Sequence, residues 1–307
     1  MSEHLRLMLL APSTMHHPAA FDRATALAKI RGEPIHIVAF DYVEGLASAG
    51  LFSDQALARF RQEYVQHHRQ WLEEQALSMR AAGIEVTTEV VWVENPLKEI
   101  LLHLHEQPID MLIKDIEHES LLKRAMFTSL DVHLLRECSV PLHFVCKTRN
   151  ALPRKIVAAV DPFHPDDQYK GFNDRIIYEA LKLGMQCKAE VDVLYAHDLS
   201  SLDTSEFTWG TPLFPAASKA RSLFDVQVAA FDEMIERNGI PAESQHMIMG
   251  HPAKVLTNFA AANNIDVIVM GRVHHRSRGN TVGSTVEQIL YKMPSSVLVI
   301  TPEELCG

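Results

Sequence analysis

The sequence predicts an α/β protein of two similar domains in tandem, each built on five strands in a parallel sheet. Three observations carry that prediction. The chain repeats itself: NPLKEILLHLHEQPIDMLIKD from Asn95 and HPAKVLTNFAAANNIDVIVMG from His251 align without a gap. Pro96 falls on Pro252, Asp110 on Asp266 and Thr128-Ser129 on Ser284-Thr285, each 156 positions apart. Apolar runs of strand length alternate with helical stretches, the order of βαβ units with right-handed crossovers. Several of these runs are apolar throughout, as strands are when helices cover both faces of their sheet.

In the first copy the strands fall at Leu7–Ala11, Ile35–Phe40, Val86–Val93, Met111–Lys114 and Pro141–Cys146, with helices over AAFDRATALAKI and QALARFRQEYVQHHRQWLEEQALSMRAAG. The second copy places them at Ile156–Val160, Val191–Ala196, Ser244–Met249, Val267–Met270 and Val297–Ile300. LRLMLLAP pairs with RKIVAAVDP at an offset of 150, so Ala11 stands opposite Asp161. The change of offset is an insertion in the second copy, assigned to SSLDTSEFTWGTPLFPAAS. KTRNALPR, polar and holding a proline, is read as the linker, which puts the domains at 1–148 and 153–304. TVEQILYKM is read as the last helix, with Ser284 as N-cap and Glu287 completing a capping box.

Composition narrows the function classes. Hydrophobic residues at 47% and charged residues at 22% are the mix of a folded globular chain. A net charge of -10 argues against a polyanion partner, and the basic HHRSR stretch lacks the aromatic interleaving of a nucleic-acid strand site, so nucleic acid is not expected. No stretch reaches the roughly 18 to 20 apolar residues of a membrane helix, and no membrane partner is expected. LRLMLLA is too short for a signal-peptide core, MSEH lacks its basic start, and the segment reads as a first strand. Cys138, Cys146, Cys187 and Cys306 show no CxxC spacing and no disulfide framework, which suits the cytoplasm.

The stretch GRVHHRSRGNTVGSTVEQ (271–288) follows the apolar strand IDVIVM and ends in small residues that open a helix. Ligands of open parallel sheets sit beyond the carboxyl ends of the strands. Glycines there let backbone N–H groups approach phosphate, and a helix N-terminus adds favourable partial charge. Together VAAVDP, GHPAKVL and DVIVMGR…GSTVEQIL…SSVLVI resemble the universal stress protein family. The likeness covers both copies, in the manner of the tandem, E-type members. It implies doubly wound sheets of the adenine-nucleotide alpha-hydrolase-like kind, packed as an internal pseudo-dimer.

Nucleotide-binding members hold ATP with an Asp at the end of the first strand and a glycine-rich loop. Carried over, the resemblance assigns an adenine-nucleotide site, ATP with Mg, to the second copy. Its residues would be Asp161, Pro162, Gly250, Gly271, Arg272, His274, Gly283, Ser284 and Thr285. Two departures stand against close phosphate approach: His274 occupies the place of the second loop glycine, and the interval from Gly271 to Gly283 is one residue short of the family pattern. Arg276 and Arg278 would supply charge-assisted bonds instead. The first copy has Ala11, Glu94, Asp115 and Phe127 at the corresponding positions, so ATP is not expected there, and Thr128 and Ser129 are left to cap a helix.

Seventeen histidines raise the question of a metal, but no HxxxH or Cys–His spacing converges ligands, and none is expected. Asp161 before Pro162 also reads as a turn former, and Ser284 as a cap. No GxSxG elbow, Walker lysine or HExxH supports catalysis. The expected function is a non-catalytic stress-response sensor or adaptor with nucleotide in the second domain. The alternatives are a scaffold working through unidentified protein partners, self-association or an apolar ligand, and last a slow ATPase.

Overall fold

The computed structural model describes residues 5–41, 54–116, 129–146, 150–162, 171–197, 214–272 and 285–302, with the side chains of 54 and 214–223 outside that description. The chain divides into two compact units, one running to Leu152 and the other from Pro153 to Pro302. No described helix is long and apolar enough to cross a membrane.

The first unit runs β1 (Arg6–Leu10), α1 (Ala19–Arg31), β2 (Ile35–Asp41), α2 (Asp54–Ala81), β3 (Val86–Trp92), α3 (Pro96–Glu106), β4 (Ile109–Asp115), α4 (Leu130–Glu137) and β5 (Leu142–Val145). Its strands are parallel in the order β3-β2-β1-β4-β5. The chain winds outward from β1 to β3 and returns to the other side of β1, so the switch point lies between β1 and β4. The second unit repeats this with β6 (Lys155–Val160), α5 (Phe172–Cys187), β7 (Glu190–His197), α6 (Phe214–Arg237), β8 (Gln245–Met249), α7 (Pro252–Asn263), β9 (Val267–Gly271), α8 (Thr285–Ile289) and β10 (Ser296–Ile300). Its parallel order is β8-β7-β6-β9-β10. Each unit is thus of the doubly wound, five-stranded kind that the family resemblance implies.

The local signals explain the ends. Proline at the first helical position starts α3 and α7, since its missing N–H has no partner there in any case. Asn95 adds a side-chain cap, accepting from the Lys98 N–H at 3.1 Å. Gly32 closes α1 in the left-handed conformation at φ 66°, its N–H returning to the Ala28 carbonyl. Ser129 caps α4 through the Val132 N–H, the role its position suggests. One expectation fails. The helix read over TVEQILYKM stops at Ile289, and residues 290–292 only turn. The Lys292 and Met293 N–H groups both return to the Ile289 carbonyl, at 2.8 and 3.0 Å, so the chain closes one tight turn there instead of continuing the helix.

The edge strand β3 is guarded by α2. Arg80 donates through Nε and Nη2 to the Val86 carbonyl at 3.0 and 2.9 Å, and Nη1 bonds Glu73 at 2.7 Å. Glu73 also accepts from the Thr88 hydroxyl. The Arg80 bond, seconded by that of Thr88, holds the Glu73 carboxyl below its ordinary range.

In the second unit, helix α5 lies so close to β9 that only glycine fits at its carboxyl end. A Cβ on Gly271 would stand 2.4 Å from Phe172 Cε1 and 2.9 Å from Ile176 Cδ1. Gly271→Ala should therefore lower unfolding stability by about 1–3 kcal/mol, the usual cost of overpacking. Denaturant melts of the unliganded protein will read this as a lower midpoint with an unchanged slope.

Candidate functional site

The carboxyl ends of the second unit's strands bring together most of the described residues singled out from the sequence. Asp161 follows β6 directly and is exposed, with Pro162 half-buried beside it. Gly271 ends β9, the neighbour of β6, and in register it follows Met270, the partner of Ala159, so it lies one strand spacing (about 5 Å) across and one residue back from Asp161. Gly250 follows β8, two strands from β6 or about 10 Å. Its φ of 143° is open to glycine rather than to residues with a Cβ, and its N–H donates to the His197 carbonyl at 3.0 Å. Thr285 begins α8 and is half-buried. His274, Gly283 and Ser284 lie outside the described residues.

Arg272, assigned to the nucleotide site, is buried, and its N–H continues the ladder to the Ile300 carbonyl at 2.9 Å. Glycine at 271 also has a packing duty of its own, set by Phe172 and Ile176.

Sequence reading missed Asn173. From the first turn of α5 its carboxamide grips the backbone of Asp161 on both sides: Oδ1 accepts from the Asp161 N–H at 3.0 Å, and Nδ2 donates to the Asp161 carbonyl at 2.9 Å. No spacing rule links positions twelve apart in this way, so nothing in the sequence marked it. Behind Asp161, Tyr195 on β7 stacks on Phe231 of α6. Burial, seconded by the Asp161 carboxylate, pushes the Tyr195 phenol well above its ordinary range. The tyrosine is thus a neutral hydroxyl beside that carboxylate.

The same edge of the first unit is built differently. Ala11 is buried, and the Asp115 carboxylate accepts from the Ala20 N–H at 3.2 Å, filling a donor at the α1 N-terminus that Pro18 cannot cap. A carboxylate stands instead at the end of β2. Asp41 accepts from His68 Nδ1 of α2 at 2.5 Å, both side chains essentially inaccessible. Asp41 Oδ1 and His68 Nε2 have no partner among the described residues. Tyr64 and Trp71 flank the imidazole. Tyr64 donates to the Ser13 carbonyl and so ties α2 to the loop after β1. The pair His67-His68 divides as helix geometry demands, one exposed and one in the core.

Two more histidines have perturbed protonation. His36 of β2 is buried, with Nδ1 on the Thr87 hydroxyl at 2.8 Å and Nε2 3.3 Å from Glu89. Burial lowers its pKa more than Glu89 raises it. For His17 burial also acts downward, but bonds to Asp22 and Gln75 outweigh it and the net shift is upward. Among the described residues no group of three or more His, Cys, Asp or Glu is placed to hold a metal ion.

Comparison with known proteins agrees with the geometry. A model of the universal stress protein family matches residues 10–145 and again 153–301. Universal stress protein E of Escherichia coli K12 is 23% identical over 300 residues, covering 97% of this chain and 94% of that protein. The universal stress protein E of Photorhabdus laumondii is also 23% identical over the same shares. In fold, the chain is similar to a protein of unknown function from Pseudomonas aeruginosa PAO1, with a TM-score of 0.70, 22% identity and coverage of 98% of this chain and 94% of that one. A universal stress protein from Archaeoglobus fulgidus gives a TM-score of 0.65 at 18% identity, covering 96% of each chain.

Two outcomes follow from the first unit's buried groups. Asp41→Ala leaves an unpaired imidazole in the core and should cost about 3 kcal/mol of unfolding free energy, measured by urea denaturation. The lowered His36 pKa means that the unfolded chain takes up that proton first. Its contribution to stability is full above the unfolded value near 6.5 and is lost as pH falls through it. His36→Asn should flatten this part of the stability–pH curve between about pH 7.5 and 5, while the opposite His17 contribution, lost as pH rises, remains.

Proposed function

The chain belongs to the universal stress protein family as a tandem, stress-response member, and from that premise we propose that its second unit binds an adenine nucleotide. The observation that carries this reading is the exposed Asp161 at the carboxyl end of β6, beside the switch point, with Gly271 one strand away and Gly250 two. A carboxylate so placed accepts hydrogen bonds from a ribose hydroxyl or an adenine amino group. The glycines that end or follow these strands carry no Cβ, which lets phosphate oxygens approach the backbone closely. Magnesium would accompany the phosphates.

The protein then acts as a cytoplasmic sensor or adaptor rather than a catalyst, its nucleotide state read by protein partners. Free thiols at Cys138, Cys146 and Cys187 suit a reducing compartment. The first unit serves as the structural half, since Ala11 offers no carboxylate and Asp115 is engaged with α1.

A second reading, a scaffold without nucleotide, draws on a specific observation. Gly271 is needed by Phe172 and Arg272 is buried, so packing alone accounts for two of the proposed contacts.

Thermal denaturation with and without magnesium ATP separates the two. At about 100 times the dissociation constant, a ligand that binds only the native state should add roughly 2.7 kcal/mol. We expect that gain in the parent protein and a smaller one in Asp161→Ala. No shift at millimolar ATP would leave the scaffold reading.

A further inference from the structure

We infer that Asn173 is the positioning residue of the second unit's ligand site, holding Asp161 in the orientation in which its carboxylate meets the nucleotide. This inference rests on the nucleotide reading above. Beyond Val160 the chain leaves β6, and Asp161 is the first residue past the strand. The Asn173 carboxamide pairs with its backbone: it offers Asp161 one acceptor and one donor, at 3.0 and 2.9 Å, as a neighbouring peptide group would. The strand's hydrogen-bond order is thereby extended by one residue, and that residue carries the carboxylate.

The residues on either side of Asn173 give the clamp a rigid base. Phe172 sits against Gly271 at the end of β9, in a space that no Cβ could share. Asp174 accepts from Arg237 Nη2 at 3.0 Å and from Asn238 Nδ2 at 2.6 Å, fixing the start of α5 to the end of α6. Three consecutive side chains of one helical turn therefore grip three separate elements. Two of the gripped points, Asp161 and Gly271, are proposed neighbours of the nucleotide. Their spacing is set by Phe172 and Asn173 rather than by the loops that follow them.

The polarity of the clamp makes it specific to asparagine. Aspartate at 173 has the same shape and could still accept from the Asp161 N–H, but it would set an acceptor against the Asp161 carbonyl and a second negative charge beside the Asp161 carboxylate.

The test is a double-mutant cycle on the full chain, with the dissociation constant of magnesium ATP measured by calorimetry for the parent, Asn173→Ala, Asp161→Ala and the double variant, and for Asn173→Asp. Circular dichroism of each unliganded variant controls for folding. We expect Asn173→Ala and Asn173→Asp each to weaken ATP about tenfold, and Asn173→Ala to add nothing in the Asp161→Ala background, because a residue that acts through another is silent once that other is gone. Inorganic triphosphate, which lacks the ribose and adenine that Asp161 would bond, should lose no affinity in any variant. ATP bound equally by the parent and Asn173→Ala, or losses that add in the double variant, would overturn this inference and leave the nucleotide reading intact. A parent protein that binds no ATP would overturn both.

Discussion

A parallel sheet covered on both faces leaves its helices little freedom, and the architecture of each unit follows from that constraint. The interior strand backbones spend their hydrogen bonds on one another, so the helices meet the sheet chiefly through side-chain packing. Where a helix must come closest, the sheet gives up a side chain. Gly271 beneath Phe172 is that place in the second unit. It lies at the end of the strand next to β6, so the fit of α5 on the sheet also decides what the carboxyl edge can present.

The two units show how one framework accommodates different edges. In the second, the carboxylate stands on the central strand at Asp161 and faces solvent. In the first, that position is Ala11, while carboxylates at Asp115 and Asp41 are turned inward, one to a helix N-terminus and the other to His68. Each of these inward groups satisfies a donor that the local sequence leaves over. Divergence at the edge has thus been absorbed as packing and capping without disturbing strand order.

Much of this was legible in the sequence because it depends on local periodicity. Continuous apolar strands act within a few residues, and their structural positions agree with the reading to a residue or two. The last helix was overestimated, because the shared bonds of Lys292 and Met293 to the Ile289 carbonyl leave no mark in the residue pattern. At the site, the strand-end positions of Asp161, Gly250 and Gly271 were legible from the repeat. The burial of Arg272, the grip of Asn173 and the Asp41–His68 pair were not, since each depends on which residues of distant segments the fold brings together. The repeat itself concealed the pair: Phe224 is the match of His68 in the second copy, so nothing in the alignment suggested a buried imidazole.

The guarding of β3 has a meaning for a chain whose family answers to stress. An uncovered edge strand is a template on which other chains can add, and heat multiplies the chances by loosening whatever lies over it. Arg80 fills the Val86 carbonyl with a guanidinium that is itself moored to Glu73, and Glu73 reaches on to Thr88. A second molecule arriving at this rim would have to displace a charge that is bonded three ways before it could lay down its first rung. The edge is thereby made a poor seed for fibrils under the conditions that make fibrils most common.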